Sequence, residues 1–378
     1  MGQILKGCIG VLAVAALVMH SVAWATQAPI ILMPIRSMAL GGVQTTLLYD
    51  EHALYANPAN LSEIHQGELK YLGVNVGATT YTLQKASEII AAVANVTSSD
   101  YSPVAAFLGA ELSTRVGLQP ILTYVDNGMG FGLFSQARLK FQLTGNFPPD
   151  IKVDALVDNV AVLGKSFQLL GPFTAGVSVK YLYRASSWDL NNSATELTLG
   201  LLDYQSAGIS YLLGGAVGYD VGLNTDVSLP FGNLKVAVVG QNLGMTFAGT
   251  ATNATSNVST TITDTIPMRG IVGGAMKADF QGLPMIGPLL GGMTTVAADY
   301  EFISQDTSVF KKIHMGVEHR FMNGWTLRSG FNQGNWVAGF GLRLLLFNLD
   351  YAYYVEELGS EIGLNRVANH VVELNIQL

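Results

Sequence analysis

The sequence predicts an all-β protein, a transmembrane antiparallel β-barrel of about 14 strands with an N-terminal plug segment and a few short helices. Three observations lead to this fold class. The chain begins with a secretory signal pattern, its polar and apolar residues alternate in many long runs, and only 12% of its 378 residues are charged, against about 25% in ordinary soluble domains. The mean hydropathy is +0.34, yet no later stretch offers about 20 continuous apolar residues for a spanning helix. Only helices and closed barrels satisfy every backbone polar group in lipid, so a barrel is expected.

Residues 1–25 have the order of a secretory signal peptide. A positive charge at Lys6 is followed by an uncharged apolar run and by a small-x-small cleavage site at 23–25. Cleavage there would remove Cys8, the single cysteine, and would exclude disulfides from the mature chain. It would leave 19 of the 20 basic side chains against 27 acidic ones, which is the wrong sign for nucleic-acid binding. The alternative is an N-terminal membrane anchor.

Period-two alternation is the main evidence for strands between residues 68 and 378. In 129–143 the odd positions are mostly apolar, and the even positions include Gln136, Arg138 and Lys140. An extended strand places these two sets on opposite faces, one suited to lipid and one to a polar lumen. The same pattern recurs and predicts strands at 68–82, 115–125, 128–143, 151–168, 173–185, 215–227, 232–243, 266–278, 293–302, 312–320, 324–332, 335–346, 347–356 and 366–378. A soluble β-sandwich is the alternative fold.

Some segments of the predicted barrel depart from this pattern. Residues 85–96 and 102–112 have apolar side chains at helical spacing and predict two short helices. Residues 244–265 are rich in Thr, Asn and Ser and predict an exposed loop. A change in the phase of the apolar residues near Asn159 predicts a β-bulge.

Residues 26–67 precede the first predicted strand, and we expect them to fold inside the barrel as a plug. A glycine pair in this segment permits tight backbone turns, and an Asn-Pro pair is a turn initiator. The predicted plug and gating residues are Gly41, Gly42, Asn57, Pro58 and Ala59. The alternative is a periplasmic tail.

The sequence contains no local catalytic motif. The spacing of His314 and His319 fits no zinc-protease motif, and residues five apart on a strand face opposite sides. We therefore expect no enzymatic activity, no cofactor and no metal site.

Several segments resemble the FadL/TodX outer-membrane transport superfamily and its PorV-like relatives. The matching segments are Ser-x-Ala-Leu-Gly-Gly at 37–42, the acidic pair at 50–51, Ala-Leu-Tyr-x-Asn-Pro-Ala-Asn-Leu at 53–61, and 240–244, 327–334, 350–359 and 370–372. The resemblance implies a 14-stranded barrel in the cell outer membrane, whose N-terminal plug gates the passage of hydrophobic small molecules such as fatty acids or hydrocarbons. The chain departs from this family in ending with Leu378, where such barrels usually end in Phe.

The expected partners are outer-membrane lipids, the barrel assembly machinery and a hydrophobic ligand such as a fatty acid, with no nucleic acid. Two other functions stay open from the sequence. A PorV-like partner in protein secretion would bind an exported protein and no small molecule. A structural outer-membrane protein would have a closed lumen and would transport nothing.

Overall fold

The computed structural model describes residues 29–30, 32–65, 67–95, 102–109, 111–144, 150–187, 196–198, 210–229, 232–253, 256–279, 292–306, 308–321, 324–344 and 346–377. The predicted signal peptide lies outside these residues. The strands are β1 (Glu68–Thr79), β2 (Glu111–Asp126), β3 (Met129–Thr144), β4 (Asp150–Gln168), β5 (Phe173–Ser187), β6 (Glu196–Thr198), β7 (Ser210–Leu229), β8 (Gly232–Asn253), β9 (Ser259–Thr265), β10 (Arg269–Asp279), β11 (Gly292–Ile303), β12 (Ile313–Phe321), β13 (Trp325–Asn332), β14 (Asn335–Leu344), β15 (Phe347–Glu357) and β16 (Arg366–Gln377).

Fourteen of the described strands close into a barrel. Neighbours pair antiparallel around the ring, and the ring closes where β16 pairs with β1 and β8 pairs with β10. The strands β6 and β9 lie outside the ring, because β6 pairs only with β4 and β9 only with the far half of β8. The predicted 14-stranded antiparallel barrel is confirmed, and each predicted strand coincides with one ring strand.

The two faces of the wall differ as the alternation predicts. On β5, Val177, Val179 and Tyr181 are exposed on the outside, whereas Ser178 and Lys180 are buried and face the lumen. The same exposure of large apolar side chains recurs on most ring strands. An apolar outer face and a more polar inner face are what a barrel needs in a bilayer.

The two ends of the barrel also differ. At one end the strands are joined by short turns, such as Asn127-Gly128 between β2 and β3, where both residues have positive φ as a type I′ hairpin turn requires. At the other end the connections are long, including 80–110 and 188–209. Short turns mark the periplasmic end of such barrels, and we call this the short-turn end.

The helices are formed by segments that precede or connect the ring strands. They are Ile35–Ala39, Ala53–Ala56, Thr80–Ala94 and Ser102–Ala105, with 3-10 turns at Pro58–Glu63 and Val309–Lys312. The second helix predicted after β1 is shorter than expected, because β2 already begins at Glu111. No helix in the described part of the chain is long and apolar enough to cross a membrane.

The exposed loop predicted at 244–265 is wrong. β8 continues to Asn253 and pairs with β9 from Thr246–Thr265 to Thr252–Ser259, so the segment is a hairpin that extends beyond the ring. Threonine has a high strand propensity, and the hairpin turns Phe247, Ala251 and Ile262 toward the core cluster while Ser and Thr side chains of β9 stay exposed.

The bulge predicted near Asn159 is also wrong. β4 keeps an unbroken register with β3 and β5 through this position. The inward side chains of Leu156, Val160 and Val162 are buried, and Val160 and Val162 belong to a core cluster inside the barrel. The change in the phase of the apolar residues therefore reflects the apolar side chains that fill this part of the lumen. The register shifts lie instead in β1, in β2, between β7 and β8 and between β10 and β11.

Candidate functional site

The segment 32–65 lies inside the barrel, and we call it the luminal segment. Its helix Ile35–Ala39 contacts β13 to β16, whereas its 3-10 turn Pro58–Glu63 contacts β3, β4, β5 and β7. Most of its side chains between these two elements are buried. The luminal segment therefore reaches from one side of the wall to the other.

The glycine pair at 41–42 lies where the luminal segment touches β12 and β13. Gly41 and Gly42 have φ of +73° and +91°, which side chains disfavour. A Cβ added to Gly41 would lie 2.4 Å from the carbonyl oxygens of Met315 and Phe331. The Nδ1 atom of His314 donates to the Gly41 carbonyl at 2.8 Å. The backbone of the luminal segment therefore packs directly on the backbone of β12 and β13, and only glycine is small enough for this contact.

The second predicted motif, at 57–59, packs against β5. The Asn57 amide donates to the carbonyl of Thr45 at 2.8 Å, and its oxygen accepts from the Ala59 N–H at 3.1 Å. A Cβ added to Gly176 would lie 2.2 Å from the Ala59 nitrogen and from the carbonyl carbon of Pro58. The motif thus ties two parts of the luminal segment together and seats them on a glycine of the wall.

Replacing Asn57 by Ala is expected to loosen the luminal segment. The change removes a hydrogen bond to Thr45 and leaves the buried Ala59 N–H without its acceptor, at a cost of about 2 kcal/mol. Hydrogen exchange should show roughly thirty-fold faster local opening across 41–60. Asn95→Ala is the matched control, since Asn95 makes one exposed bond to Ala91 on an outer helix. Equal protection in Asn57→Ala and the unchanged protein would contradict this role.

An aspartate on β11 holds the middle of the luminal segment. The Asp299 carboxylate accepts the backbone N–H of Gln44 at 2.8 Å and of Thr45 at 3.0 Å, and it also accepts the Thr45 hydroxyl. Asp299 is buried. A carboxylate satisfied by three donors is a strong and specific anchor.

A buried glutamate on β12 binds the start of the luminal segment. The Nε and Nη2 atoms of Arg36 donate to Glu318 at 2.8 and 2.9 Å, a two-bond pairing. Arg320 and Arg328 donate to the same carboxylate at 2.8 and 2.9 Å. Glu318 is 1% exposed. Three guanidinium groups therefore converge on one carboxylate, which joins the luminal segment to β12 and β13.

The segment 240–244 holds the luminal segment on the β8 side. Register shifts between β7 and β8 fall here, and Asn242 has φ of +60°. The Gln241 amide donates to the carbonyls of Ala56 at 2.8 Å and Tyr55 at 3.3 Å, at the end of the helix Ala53–Ala56. The irregular strand thus turns an amide side chain toward carbonyls that the short helix leaves free.

An apolar cluster lies inside the barrel. The luminal segment and the wall contribute to it together. Its members include Leu48, Leu54, Leu61, Val160, Leu182, Leu212, Met245, Phe247, Ala251 and Ile266. Ile30 and Leu32, just before or at the start of the luminal segment, pack against the same cluster. The Arg184 guanidinium donates to the carbonyl of Pro29 at 3.0 Å and fixes the chain there.

A polar cavity of about 400 Å³ opens at the short-turn end. Asp50 and His52 of the luminal segment line it, and the Nδ1 atom of His52 lies 3.0 Å from Asp50 Oδ1. Burial works against a charged imidazole, but the carboxylates of Asp50 and Glu51 outweigh it and raise the pKa of His52 to about 9. Although burial opposes ionisation of Asp50, the charges of His52, Lys70 and Arg36 hold its pKa well below the usual range.

The contacts with Asp299, Glu318 and Gln241 were missed by sequence reasoning. They join positions far apart in the chain, as for Arg36 and Glu318, which are separated by 282 residues. The one available signal is that Asp299 and Glu318 occupy predicted inward positions of their strands.

Solved structures with a similar fold are channels and transporters. The TodX monoaromatic hydrocarbon channel deltaS2 mutant has a TM-score of 0.50 and 13% identity over 91% of this chain and 97% of its own. The Pseudomonas putida toluene transporter TodX has a TM-score of 0.47 and 15% identity, covering 92% and 98%. The Ralstonia pickettii toluene transporter TbuX has a TM-score of 0.46 and 13% identity, covering 91% and 97%. No protein-family model and no curated protein matches the chain.

The likeness to the first of these structures shows the fold. The resemblance of the sequence to the FadL/TodX superfamily is confirmed at the level of that fold. A closed 14-stranded barrel with an apolar exterior is the architecture of outer-membrane proteins, which agrees with the predicted location.

Proposed function

We propose that the chain is an outer-membrane channel for hydrophobic small molecules, such as fatty acids or hydrocarbons, and that the luminal segment is the plug that gates it. The observation that carries this proposal is the apolar cluster shared by the luminal segment and the wall. A hydrophobic molecule can replace the apolar contacts that Ile30 and Leu32 make there, so it can compete with the chain for the same surface.

The polar anchors hold the luminal segment against the wall. A ligand must therefore bind strongly enough to overcome these anchors before the segment moves. Asp299, Glu318 and Gln241 hold the segment from three parts of the ring. A ligand shifts the segment only by as much as it binds the open arrangement better than the closed one. The glycine pair at 41–42 and the motif at 57–59 lie at the two contacts about which the segment would move. The solved structures with a similar fold carry the names of channels and transporters, which supports transport over catalysis.

The first test is mass spectrometry of hydrophobic molecules extracted from the barrel purified from outer membrane. We expect a specific fatty acid or hydrocarbon in the unchanged protein and less of it in Asn57→Ala/Pro58→Ala, in which the plug is loosened. The matched control is Asn95→Ala, on the exposed end of an outer helix. A barrel that repeatedly yields no hydrophobic molecule, with or without the substitutions, would contradict the proposal.

One feature favours a secretion partner as the second candidate function. The hairpin of β8 and β9 extends beyond the ring at the long-connection end and exposes Thr and Ser side chains. Within the described part of the chain, the outer edge of β9 pairs with no strand, and it offers backbone and polar groups to a second polypeptide. Co-purification of one exported protein, lost when the exposed Ser259, Thr260 and Thr261 of β9 are replaced by Lys, would favour this function over transport.

A further inference from the structure

Three consecutive side chains of the luminal segment converge at the polar cavity. The Nδ1 atom of His52 lies 3.0 Å from Asp50 Oδ1 and 3.8 Å from Glu51 Oε1. The ligand-type atoms of all three residues lie within 4.8 Å of one another. Metal–ligand bonds of about 2.1 Å put neighbouring ligand atoms about 3.0–3.4 Å apart. The separation of His52 Nδ1 from Asp50 Oδ1 lies in this range, and Glu51 Oε1 would move closer to Nδ1 when an ion binds.

The backbone holds this arrangement in place. The His52 N–H donates to Asp50 Oδ1 at 3.0 Å, and the Ala53 N–H donates to the Asp50 carbonyl at 3.0 Å. The helix Ala53–Ala56 follows directly and is buried. The tripeptide is therefore a fixed turn, which avoids much of the ordering cost of binding.

The neighbouring cations contact the other oxygen of each carboxylate. Lys70 Nζ lies 2.5 Å from Glu51 Oε2, and an Arg36 nitrogen lies 4.0 Å from Asp50 Oδ2. Both therefore engage the outer oxygens of the two carboxylates. Asp50 Oδ1 and Glu51 Oε1 face the imidazole. Groups that hold the outer oxygens of a ligating carboxylate are a usual part of metal sites.

Buried polar atoms without partners give the independent sign of a ligand. Among the described residues, Glu373 Oε2 and Asn375 Oδ1 have no hydrogen-bond partner, although these residues are 4% and 8% exposed. Both residues line the same cavity as Asp50, Glu51 and His52. Such groups are costly unless something in the cavity satisfies them.

We propose that Asp50, Glu51 and His52 bind a divalent first-row transition cation, such as Zn²⁺ or Co²⁺, at the short-turn end of the lumen. Two carboxylates and an imidazole are the mixed oxygen and nitrogen set that such ions accept. Glu373 and Asn375 on β16 take part through ion-bound water. The cation then ties the luminal segment to the wall. This site departs from the sequence-based expectation of no metal, and it does not depend on which molecule the channel carries.

The test is a Co²⁺ titration of the purified full-length mature barrel after chelation, followed by visible absorption. We expect saturable binding of one ion per chain. His52→Gln should weaken binding by more than about 100-fold, because loss of a ligand exceeds the 10–100-fold loss from an outer-shell partner. His65→Gln is the matched control, since His65 is exposed nearby in the sequence and lies outside the cavity lining. It should bind as the unchanged protein does.

Two further variants keep the test decisive if His52→Gln folds poorly. Glu51→Gln keeps the side-chain volume and should also abolish most binding, whereas Glu373→Gln should weaken it about ten-fold. Heat-modifiable migration in gels and circular dichroism report folding of each variant. The proposal would be overturned if the unchanged protein showed no saturable Co²⁺ binding, or if His52→Gln bound Co²⁺ with equal affinity. In either case Asp50, Glu51 and His52 would form a salt-bridge network only.

Discussion

Replacing Glu318 by Gln is expected to release the start of the luminal segment from the wall and to open the channel. The substitution removes the negative charge on which Arg36, Arg320 and Arg328 converge. Arg36 and Arg328 are largely buried, and Asp50, at 4.0 Å from Arg36, and Asp350, in contact with Arg328, then offset their charges only in part. Removing one member of a buried ion pair costs about 3–5 kcal/mol. The substitution therefore destabilises the closed arrangement more than the open one, because Arg36 reaches water when the segment opens.

Single-channel conductance and tryptic cleavage at Arg36 are the measurements for Glu318→Gln. Both should increase while the barrel keeps its heat-modifiable migration, since ring hydrogen bonds are unchanged. Glu88→Gln is the matched control. Glu88 pairs with Lys85 on an exposed helix at 2.8 Å, and such pairs contribute only about 0.3–0.5 kcal/mol. If Glu318→Gln behaves as Glu88→Gln does, the arginine cluster does not hold the segment.

Replacing Gly176 by Ala is expected to displace the motif at 57–59 from β5. The new Cβ would lie 2.2 Å from the backbone of Pro58 and Ala59, and backbone cannot yield as a flexible side chain does. Overpacking of this kind costs about 1–3 kcal/mol. The luminal segment should shift inward, and uptake of a hydrophobic substrate into cells should accelerate.

Gly274→Ala is the matched control for Gly176→Ala. A Cβ at Gly274, on β10, would have only the carbonyl oxygen of Lys235 nearby, at 3.8 Å. The same substitution is therefore accommodated there. Uptake should stay at its usual rate in Gly274→Ala. Uptake equally unchanged in Gly176→Ala would show that the motif does not block the path.

The barrel could be predicted from sequence because each ring strand has its own local pattern. On β5 and β12 the alternation alone separates lipid-facing from lumen-facing side chains, as for Val177 against Ser178 and Met315 against Glu318. The alternation of polar and apolar residues gave wrong predictions where the polarity of a position depends on contacts with distant residues. The apolar inward residues near Asn159 suggested a bulge, since the core cluster they join is built by the luminal segment.

The luminal contacts could be predicted only in part. Glycine and Asn-Pro chemistry pointed to 41–42 and 57–59, and both lie at close contacts with the wall. The partners of Arg36 and Thr45 could not be found, because a charge or hydroxyl carries no sign of which distant strand it will meet. The Thr-rich segment 244–265 predicts a loop because few of its residues are apolar, whereas the structure places several of those few, such as Phe247, in the core cluster.

Reversible locking of the luminal segment tests the gating claim most directly. Thr45→Cys with Asp299→Cys replaces two side chains that are in hydrogen-bond contact, and a disulfide between them would lock the luminal segment to β11. The single natural cysteine, Cys8, precedes the predicted cleavage site, so no other pairing is expected in the mature chain. The measurement is uptake of a labelled fatty acid and of a labelled aromatic hydrocarbon before and after reduction. Our account predicts that the oxidised protein transports neither and that reduction restores uptake of at least one. Equal uptake in the oxidised and reduced states would contradict it.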